Sequence, residues 1–353
     1  MARIPPETLR TLARDCFQAA GYPAEEAAQI ARLIVLSNLR GHDSHGVRQI
    51  PRYLQYIREG KIVAGAPVQI VQETATTATL DGHRTAGHVA ATKAAEVAIA
   101  KARASQVSAV TIRNLYHVGR LGAYTEMAAA AGLIGLGFVS GQGHERIVTP
   151  FGGIQARFST SPFSACFPNP DGDPILLDFA TSVVAANKIR LALDRGQSVP
   201  EGWMIDAEGK PLTDPQAYQD HKATLLPLGG EKGYKGYGLA VMNEIMTGIM
   251  SGTGTVATAE QTGVLNNVTF LICIDPQAFV TREFYDREIR ALVEYLHATR
   301  VRPGDPAVML PGEYEERAQK EREANGIEIE DQVWAGILKA AEQVGVKAPV
   351  PVP

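Results

Sequence analysis

The sequence predicts a mixed α/β (α+β) protein whose helix-rich ends enclose a strand-rich middle. Three observations carry this. Residues 6–58 and 281–345 are dominated by the i, i+3, i+4 apolar spacing of amphipathic helices. Short β-rich runs cut by Gly and Pro fill residues 133–178, with further runs at 67–81, 107–112 and 268–274. No GxGxxG fingerprint stands between an opening strand and helix, which excludes a Rossmann frame. Gly252-Thr253-Gly254-Thr255-Val256-Ala257 fits the loose GxGxxA form, but it follows a helix and reads as a loop.

Taken in order, residues 6–20 and 24–40 are expected as two helices split by Gly21-Tyr22-Pro23, a stop followed by a restart. In the second, Ala27, Ile30, Ala31, Ile34, Val35 and Asn38 share one buried stripe. The run Arg40–Gly46 is too polar and glycine-rich for a helix interior, and a third helix is expected from Val47 to Arg58. Segments 67–72 and 76–81 read as a β-hairpin and the alanine-rich stretch 88–104 as a helix. Val107–Ile112 is expected as a strand and Gly119–Ala131 as a helix. Strands at 133–140, 155–168 and 174–178 follow, then helices at 183–193 and 238–250. A strand at 268–274 and helices at 281–298 and 331–345 close the chain. The pattern suggests two domains, the first discontinuous: 1–118 plus 291–353, around 119–290. The charged segment 303–330 packs little apolar surface alone and is expected to lie over another element or another subunit.

The 353 residues suffice for a sizeable core, and 45% hydrophobic against 20% charged residues is an ordinary globular balance. A net charge of −4 gives no basic footprint for nucleic acid or an anionic membrane. No apolar run reaches 18 residues and the first residues lack a signal-peptide core, so a soluble, cytoplasmic protein is expected. Cys16, Cys166 and Cys273 are scattered, as reduced, buried thiols would be.

Four polar clusters carry the candidate chemistry. His42-Asp43-Ser44-His45-Gly46 places an imidazole able to exchange a proton near neutral pH beside Arg48 and Arg52, one turn apart on the next helix. An arginine grips a carboxylate with two parallel bonds, so the pair suits a 2-hydroxy acid: Arg holds the acid group and His takes the hydroxyl proton. The competing reading is a helix cap by Asp43 or Ser44. A metal site on His42 and His45 lacks further ligands at suitable spacing. The second cluster, Asn114 to Arg120, sets His117 at a strand end, where either a catalytic residue or a satisfied helix-terminal histidine fits. In the third, Asp178 ends an apolar strand and can orient a histidine; Thr181 and Ser182 can take a phosphate or simply cap a helix. The fourth, Gly229 to Gly238, combines dense glycine with Lys232 and Lys235. It suits close approach to an anion, or a solvated turn.

Together these blocks resemble the malate/L-lactate dehydrogenase family of the type 2, sulfolactate dehydrogenase-like kind. That family also includes hydroxycarboxylate, ureidoglycolate and diketogulonate/piperideine-carboxylate oxidoreductases. The resemblance rests on GHDSHGV at 41–47, NLYHVGRLGAY at 114–124 and RFSTSPFSACFP at 157–168. It continues through LLDFATSVVAANKIRLA at 176–192, EGWMIDAEGKPLTDP at 201–215, KGYGLAVMNEIMTGIMSG at 235–252 and LPGE at 310–313, and spans about residues 6–346. It implies a non-Rossmann fold with a largely antiparallel cofactor sheet in 119–290. The helical domain from both chain ends would serve substrate binding and dimerisation. It further implies a homodimer or higher assembly of dimers that acts on a small anionic 2-oxo or 2-hydroxy acid with NAD or NADP and without metal.

By the same resemblance, His45 is the proton donor and acceptor with Ser44 beside it, Asp178 works with that histidine, and His117 is the proton acceptor in other branches. Ser140, Asp178, Phe179, Ala180, Thr181, Ser182, Lys232 or Lys235, and Pro311-Gly312-Glu313 match cofactor-contact segments, and Thr160 faces the substrate. Three departures stand out. Gln49 occupies the usual arginine position, leaving the carboxylate to Arg48, Arg52 or another residue. A GTNP segment reads Ser159-Thr160-Ser161-Pro162, and the lysine loop is extended before Lys235. The rival readings are a reductase of cyclic imino acids, a non-catalytic NAD(P)-binding protein and, more remotely, a zinc hydrolase.

Overall fold

The computed structural model describes residues 2–143, 146–259 and 262–347. Strand β1 (Ala2–Ile4) opens the chain, followed by α1 (Pro6–Ala19), α2 (Ala24–Leu39) and α3 (Ile50–Arg58). Then come β2 (Gln69–Glu73), β3 (Thr77–Asp81), α4 (Gly87–Ser105), β4 (Val107–Leu115), α5 (Gly122–Ala130) and β5 (Ile134–Gln142). The middle continues with β6 (Phe163–Phe167), β7 (Ile175–Phe179), α6 (Ala186–Asp194), β8 (Met204–Ile205), β9 (Pro211–Leu212), α7 (Pro215–Gln219) and β10 (Thr224–Leu225). Last are α8 (Tyr234–Glu244), β11 (Asn266–Ile274), α9 (Arg282–His297), α10 (Glu313–Asn325), β12 (Ile327–Ile329) and α11 (Asp331–Gln343).

The main sheet has seven strands in the order β2-β3-β4-β11-β5-β6-β7. Every neighbouring pair is antiparallel except β3 with β4, which α4 joins as a βαβ crossover. The expected largely antiparallel sheet is therefore present. The boundary expected after residue 118 falls between β4 and β5, within this one sheet. Alanines 90, 91, 94, 95, 98 and 102 are all buried, and their small side chains let α4 lie close on the sheet above Val110, Ile112 and Leu271. Gln106, at φ 69°, ends the helix in a left-handed cap.

The two chain ends meet. β1 pairs antiparallel with β12, and Phe17, Ile34, Tyr53, Ile327, Trp334 and Ile337 share a second core that also reaches Tyr116. Burying a side chain such as Phe17 or Ile34 contributes on the order of 2 kcal/mol, which offsets the loop-closure cost of joining residues so far apart in sequence. A smaller core around Ile189, Met204 and Leu225 packs α6 against the sheet β10-β8-β9. All three cysteines are free and buried.

Several elements differ from expectation at their ends. The segment expected as helix from Val47 begins as a 3-10 turn, Val47–Gln49, because Pro51 supplies no amide to continue an α-helical ladder backward; a separate 3-10 turn, Asp43–His45, precedes it. β4 runs on to Leu115, held by β11. The helix expected from Gly119 starts at Gly122, because Gly119 sits at φ 74°. That expected at 238–250 starts at Tyr234 and finishes as a π-turn over Ile245–Ile249. Of the strand expected at 155–168, Phe163–Phe167 forms a strand and Phe158 an isolated bridge to Val148. β1, β8, β9, β10 and β12 are too short to show alternation and had no expected counterpart.

Candidate active site

The first motif is a loop strapped to the last turn of α2. Asn38 Oδ1 accepts from the Val47 amide (2.8 Å), and its Nδ2 donates to Asp43 Oδ1 (2.6 Å). Gly46 makes room for that amide: a Cβ there would stand 2.0 Å from Asn38 Oδ1. Its φ of −90° is ordinary, so the demand is for space. From α10, Arg322 donates to both oxygens of Asp43 (2.6 and 3.0 Å), and Gln49 Nε2 holds the Ser44 carbonyl (2.7 Å). Neither 3-10 turn has a side-chain cap, so the capping alternative for Asp43 and Ser44 is not what forms. Ser44 Oγ instead pairs with His45 Nδ1 at 2.8 Å.

The second motif comes to meet the first. The imidazole of His117 stacks on that of His45, with ring centroids 5.3 Å apart and planes 14° from parallel. His117 Nδ1 bonds Tyr53 Oη from α3 at 2.6 Å. A third histidine, His88 at the start of α4, lies 5.8 Å from the Tyr53 ring; neither of its ring nitrogens has a partner among the described residues. Burial drives all three below the ordinary histidine range. His45 falls to about 4, helped by the charges of His42 and Arg120, and His88 falls to about 3. His117 falls well below 6.5 through burial, then His45, His88 and Arg52. Three neutral imidazoles thus cluster around Tyr53 and form one wall of the site. Asn267 ties this wall to β5: its Oδ1 accepts from the Val118 amide (3.0 Å), and its Nδ2 donates to the carbonyl of Ser140 (3.2 Å).

Asp178 closes β7 and accepts from the Gly122 amide at 2.7 Å. The expected contact between Asp178 and His45 is not the one formed, since Ser44 takes His45 Nδ1. Asp178 faces Arg120 instead. A Cβ on Gly122 would come within 2.7 Å of Arg120 Nη1 and 2.8 Å of Asp178 Oδ2. Arg120 is buried, ion-paired to Glu126, and stays charged because Glu126, Asp178 and Glu315 outweigh its burial. Burial raises the Asp178 carboxyl, opposed by Arg120 and His42. His42 itself meets Glu315 at 3.4 Å.

The proposed cofactor segments are laced along one edge. Thr160 O accepts both the amide and the hydroxyl of Thr181 (2.9 and 3.1 Å), Thr181 O accepts the Leu228 amide (2.8 Å), and Leu228 O accepts the Gly236 amide (3.2 Å). Thr181 and Ser182 are buried, with both hydroxyls committed to carbonyls, the latter to Val184. They neither cap α6, which starts at Ala186, nor have a hydroxyl free for a phosphate. Phe179 and Ala180 stay half-buried beside them. Lys232 and Lys235 are exposed, the latter in the first turn of α8. Gly236 serves chain packing, since its Cβ would meet Leu228 O at 2.5 Å, whereas Gly230 and Gly238 open onto free space. Pro311 O accepts the Leu176 amide (3.0 Å), which sets Gly312 (φ 101°) and Glu313 against β7. Ser140 is buried in β5.

Of the two arginine candidates, Arg48 is half-buried on the second 3-10 turn, while Arg52 lies 5.3 Å over the Tyr56 ring, near enough to His117 to disfavour its protonation. Among the described residues no group of three or more His, Cys, Asp or Glu side chains is placed to hold a metal. Asn38, Tyr53, Arg120, Asn267 and Arg322 complete the site and were given no role from sequence, although Arg120 ends the second polar cluster. For Asn38 a signal existed, a polar side chain on an apolar stripe; Arg322 lies in a charged helix with nothing to mark it.

The chain matches the malate/L-lactate dehydrogenase family model over residues 4–338. It is 37% identical to hydroxycarboxylate dehydrogenase B of Escherichia coli, over 98% of this chain and 95% of that protein. It is 34% identical to L-lactate dehydrogenase of Cupriavidus necator, over 96% and 97%. Among solved structures, sulfolactate dehydrogenase from Methanocaldococcus jannaschii superposes with a TM-score of 0.88 at 31% identity, covering 98% of each chain. The sulfolactate dehydrogenase-like fold expected from the sequence is thus the fold present, and the protein belongs to the malate/L-lactate dehydrogenase family.

Proposed function

We propose that the protein interconverts a small 2-hydroxy acid and its 2-oxo acid, using NAD or NADP. The observation that carries this is the stacked pair of neutral imidazoles, His45 and His117, each tied at Nδ1 to a hydroxyl. The dinucleotide suits the residues present: two exposed lysines and two open glycines stand beside the laced edge through Thr181, Leu228 and Gly236. When bound, the nicotinamide exchanges a hydride with C2 of the acid. The chain supplies the rest. His45, held by Ser44, takes the hydroxyl proton in oxidation and returns it in reduction. Arg52 or Arg48 grips the carboxylate. Asp178 acts at one remove, balancing Arg120, whose positive charge helps keep His45 neutral. Ser140, Phe179, Ala180, Lys232 or Lys235 and the Pro311–Glu313 turn line the dinucleotide side, and Thr160 lies toward the substrate.

We further propose that residues 1–118 with 291–353 form the substrate-binding and dimerising unit, that residues 119–290 form the cofactor unit, and that the enzyme works in the cytoplasm as a homodimer or an assembly of dimers. The test is consumption of NADH and of NADPH against a panel of 2-oxo acids, with a cyclic imino acid alongside. Turnover of an oxo acid that drops at least about 100-fold in His45→Ala supports the reading. Turnover of the imine alone, or cofactor binding without turnover across the panel, would replace it.

A further inference from the structure

The His45–His117 pair leaves open which ring gives and which ring takes a proton, and the hydrogen bonds around it answer that. Tyr53 is 1% exposed. A buried phenol must spend its O–H on an acceptor, or lose the full desolvation cost of that donor. Its hydrogen-bond partner is His117 Nδ1, at 2.6 Å. Burial also pushes the Tyr53 phenol well above 10, so the proton stays on its oxygen. The O–H therefore points at Nδ1, which must present a lone pair. A neutral imidazole with its lone pair on Nδ1 carries its hydrogen on Nε2. Ser44 differs: it is half-buried, can turn its own O–H toward solvent, and can accept from His45 Nδ1 at 2.8 Å. In that arrangement the His45 lone pair lies on Nε2.

We propose that Tyr53 is a positioning residue that fixes His117 as its Nε2–H tautomer, making His117 a hydrogen-bond donor to the substrate oxygen and His45 the base. This rests on the hydroxy-acid reading of the site. In oxidation the substrate O–H bond breaks toward His45, whose Nε2 lone pair takes the proton. The hydrogen on C2 leaves with both bonding electrons to the nicotinamide, and a C=O double bond forms. His117 keeps its proton throughout and holds the oxygen as its charge changes.

The tautomers can be read without substrate, from the nitrogen chemical shifts of the ¹⁵N-histidine-labelled native protein, with His117 assigned by difference from His117→Gln. The expected pattern for His117 is a protonated Nε2 and a bare Nδ1, lost or mixed with the other tautomer in Tyr53→Phe. In turnover, Tyr53→Phe is expected to lower kcat about 10-fold with little change in KM. His117→Gln, whose amide still donates, should keep far more activity than His117→Ala. A wild-type His117 protonated on Nδ1 overturns the proposal, as does a Tyr53→Phe protein with unchanged tautomer. If the tautomer is as stated but no oxo acid is turned over, the functional reading fails and the hydrogen-bond assignment stands.

Discussion

Arg322 in α10 and Asp43 in the loop after α2 are 279 residues apart in sequence, yet they form a two-pronged ion pair with bonds of 2.6 and 3.0 Å. Asp43 also accepts from Asn38, which in turn holds the Val47 amide, so the loop bearing Ser44 and His45 is anchored from both ends of the chain. Helix α10 thereby becomes part of the site's support.

Replacing Arg322 with Met should loosen that loop. We expect a stability loss of about 1–2 kcal/mol, since Asp43 is partly exposed and can recover water. A fall in kcat larger than the fall in stability would imply is also expected. Denaturant melts and steady-state kinetics on the same preparation check this; unchanged kcat would mean that the loop holds its shape without the pair.

Acid should destabilise the fold steeply. His45, His88 and His117 are held neutral in the native state, two of them down to about 4 and about 3, whereas the unfolded chain takes up these protons near 6.5. Their contribution is whole above about pH 6.5 and is lost progressively as pH falls toward the native values. Each histidine can add up to about 1.4 kcal/mol per pH unit in that window. Asp178, raised by burial, acts in the opposite sense. Urea midpoints from pH 8 to 5 should drop sharply; a flat profile would show that the cluster is hydrated.

Removing the charge of Arg120 should cost about 3 kcal/mol or more, because Glu126 and Asp178 lose the group that offsets their burial. Arg120→Met is therefore expected to be strongly destabilised, and adding Glu126→Gln should restore part of the loss. A double-mutant cycle measures the coupling, and additive effects would contradict it.

Gly46→Ala tests space rather than conformation. The new methyl would meet Asn38 Oδ1 at 2.0 Å, so the loop must shift and the Val47 bond must stretch. We expect a loss of about 2 kcal/mol and impaired turnover, partly relieved by Asn38→Ala, which vacates the space. No relief in the double variant would place the strain elsewhere.

Much of this architecture could be read from local chemistry. The helices at 6–19, 24–39 and 87–105 and the β2–β3 hairpin follow from apolar spacing, proline starts and turn residues, which act over a few positions. The polar clusters around His45, His117 and Asp178 were visible as departures from those patterns. What stayed hidden were the partnerships. No local pattern marks Tyr53 as the partner of His117, and nothing near Asp178 in sequence shows that it faces Arg120 rather than His45. Thr181 and Ser182, which resemble a helix cap but stand four and three residues before the cap position of α6, spend their hydroxyls on the carbonyls of Thr160 and Val184.

The sequence by itself determined where most of the longer helices and strands lie, that no Rossmann fingerprint is present, and which side chains carry usable chemistry, because propensity and periodicity are local properties. Only the tertiary structure decided that His45 stacks on His117, that Tyr53 and Ser44 take one Nδ1 each, and that Arg322 anchors the loop. Those pairings depend on sheet order and on the joining of the chain ends, where burial removes water and leaves each polar group only the partner the fold puts within reach.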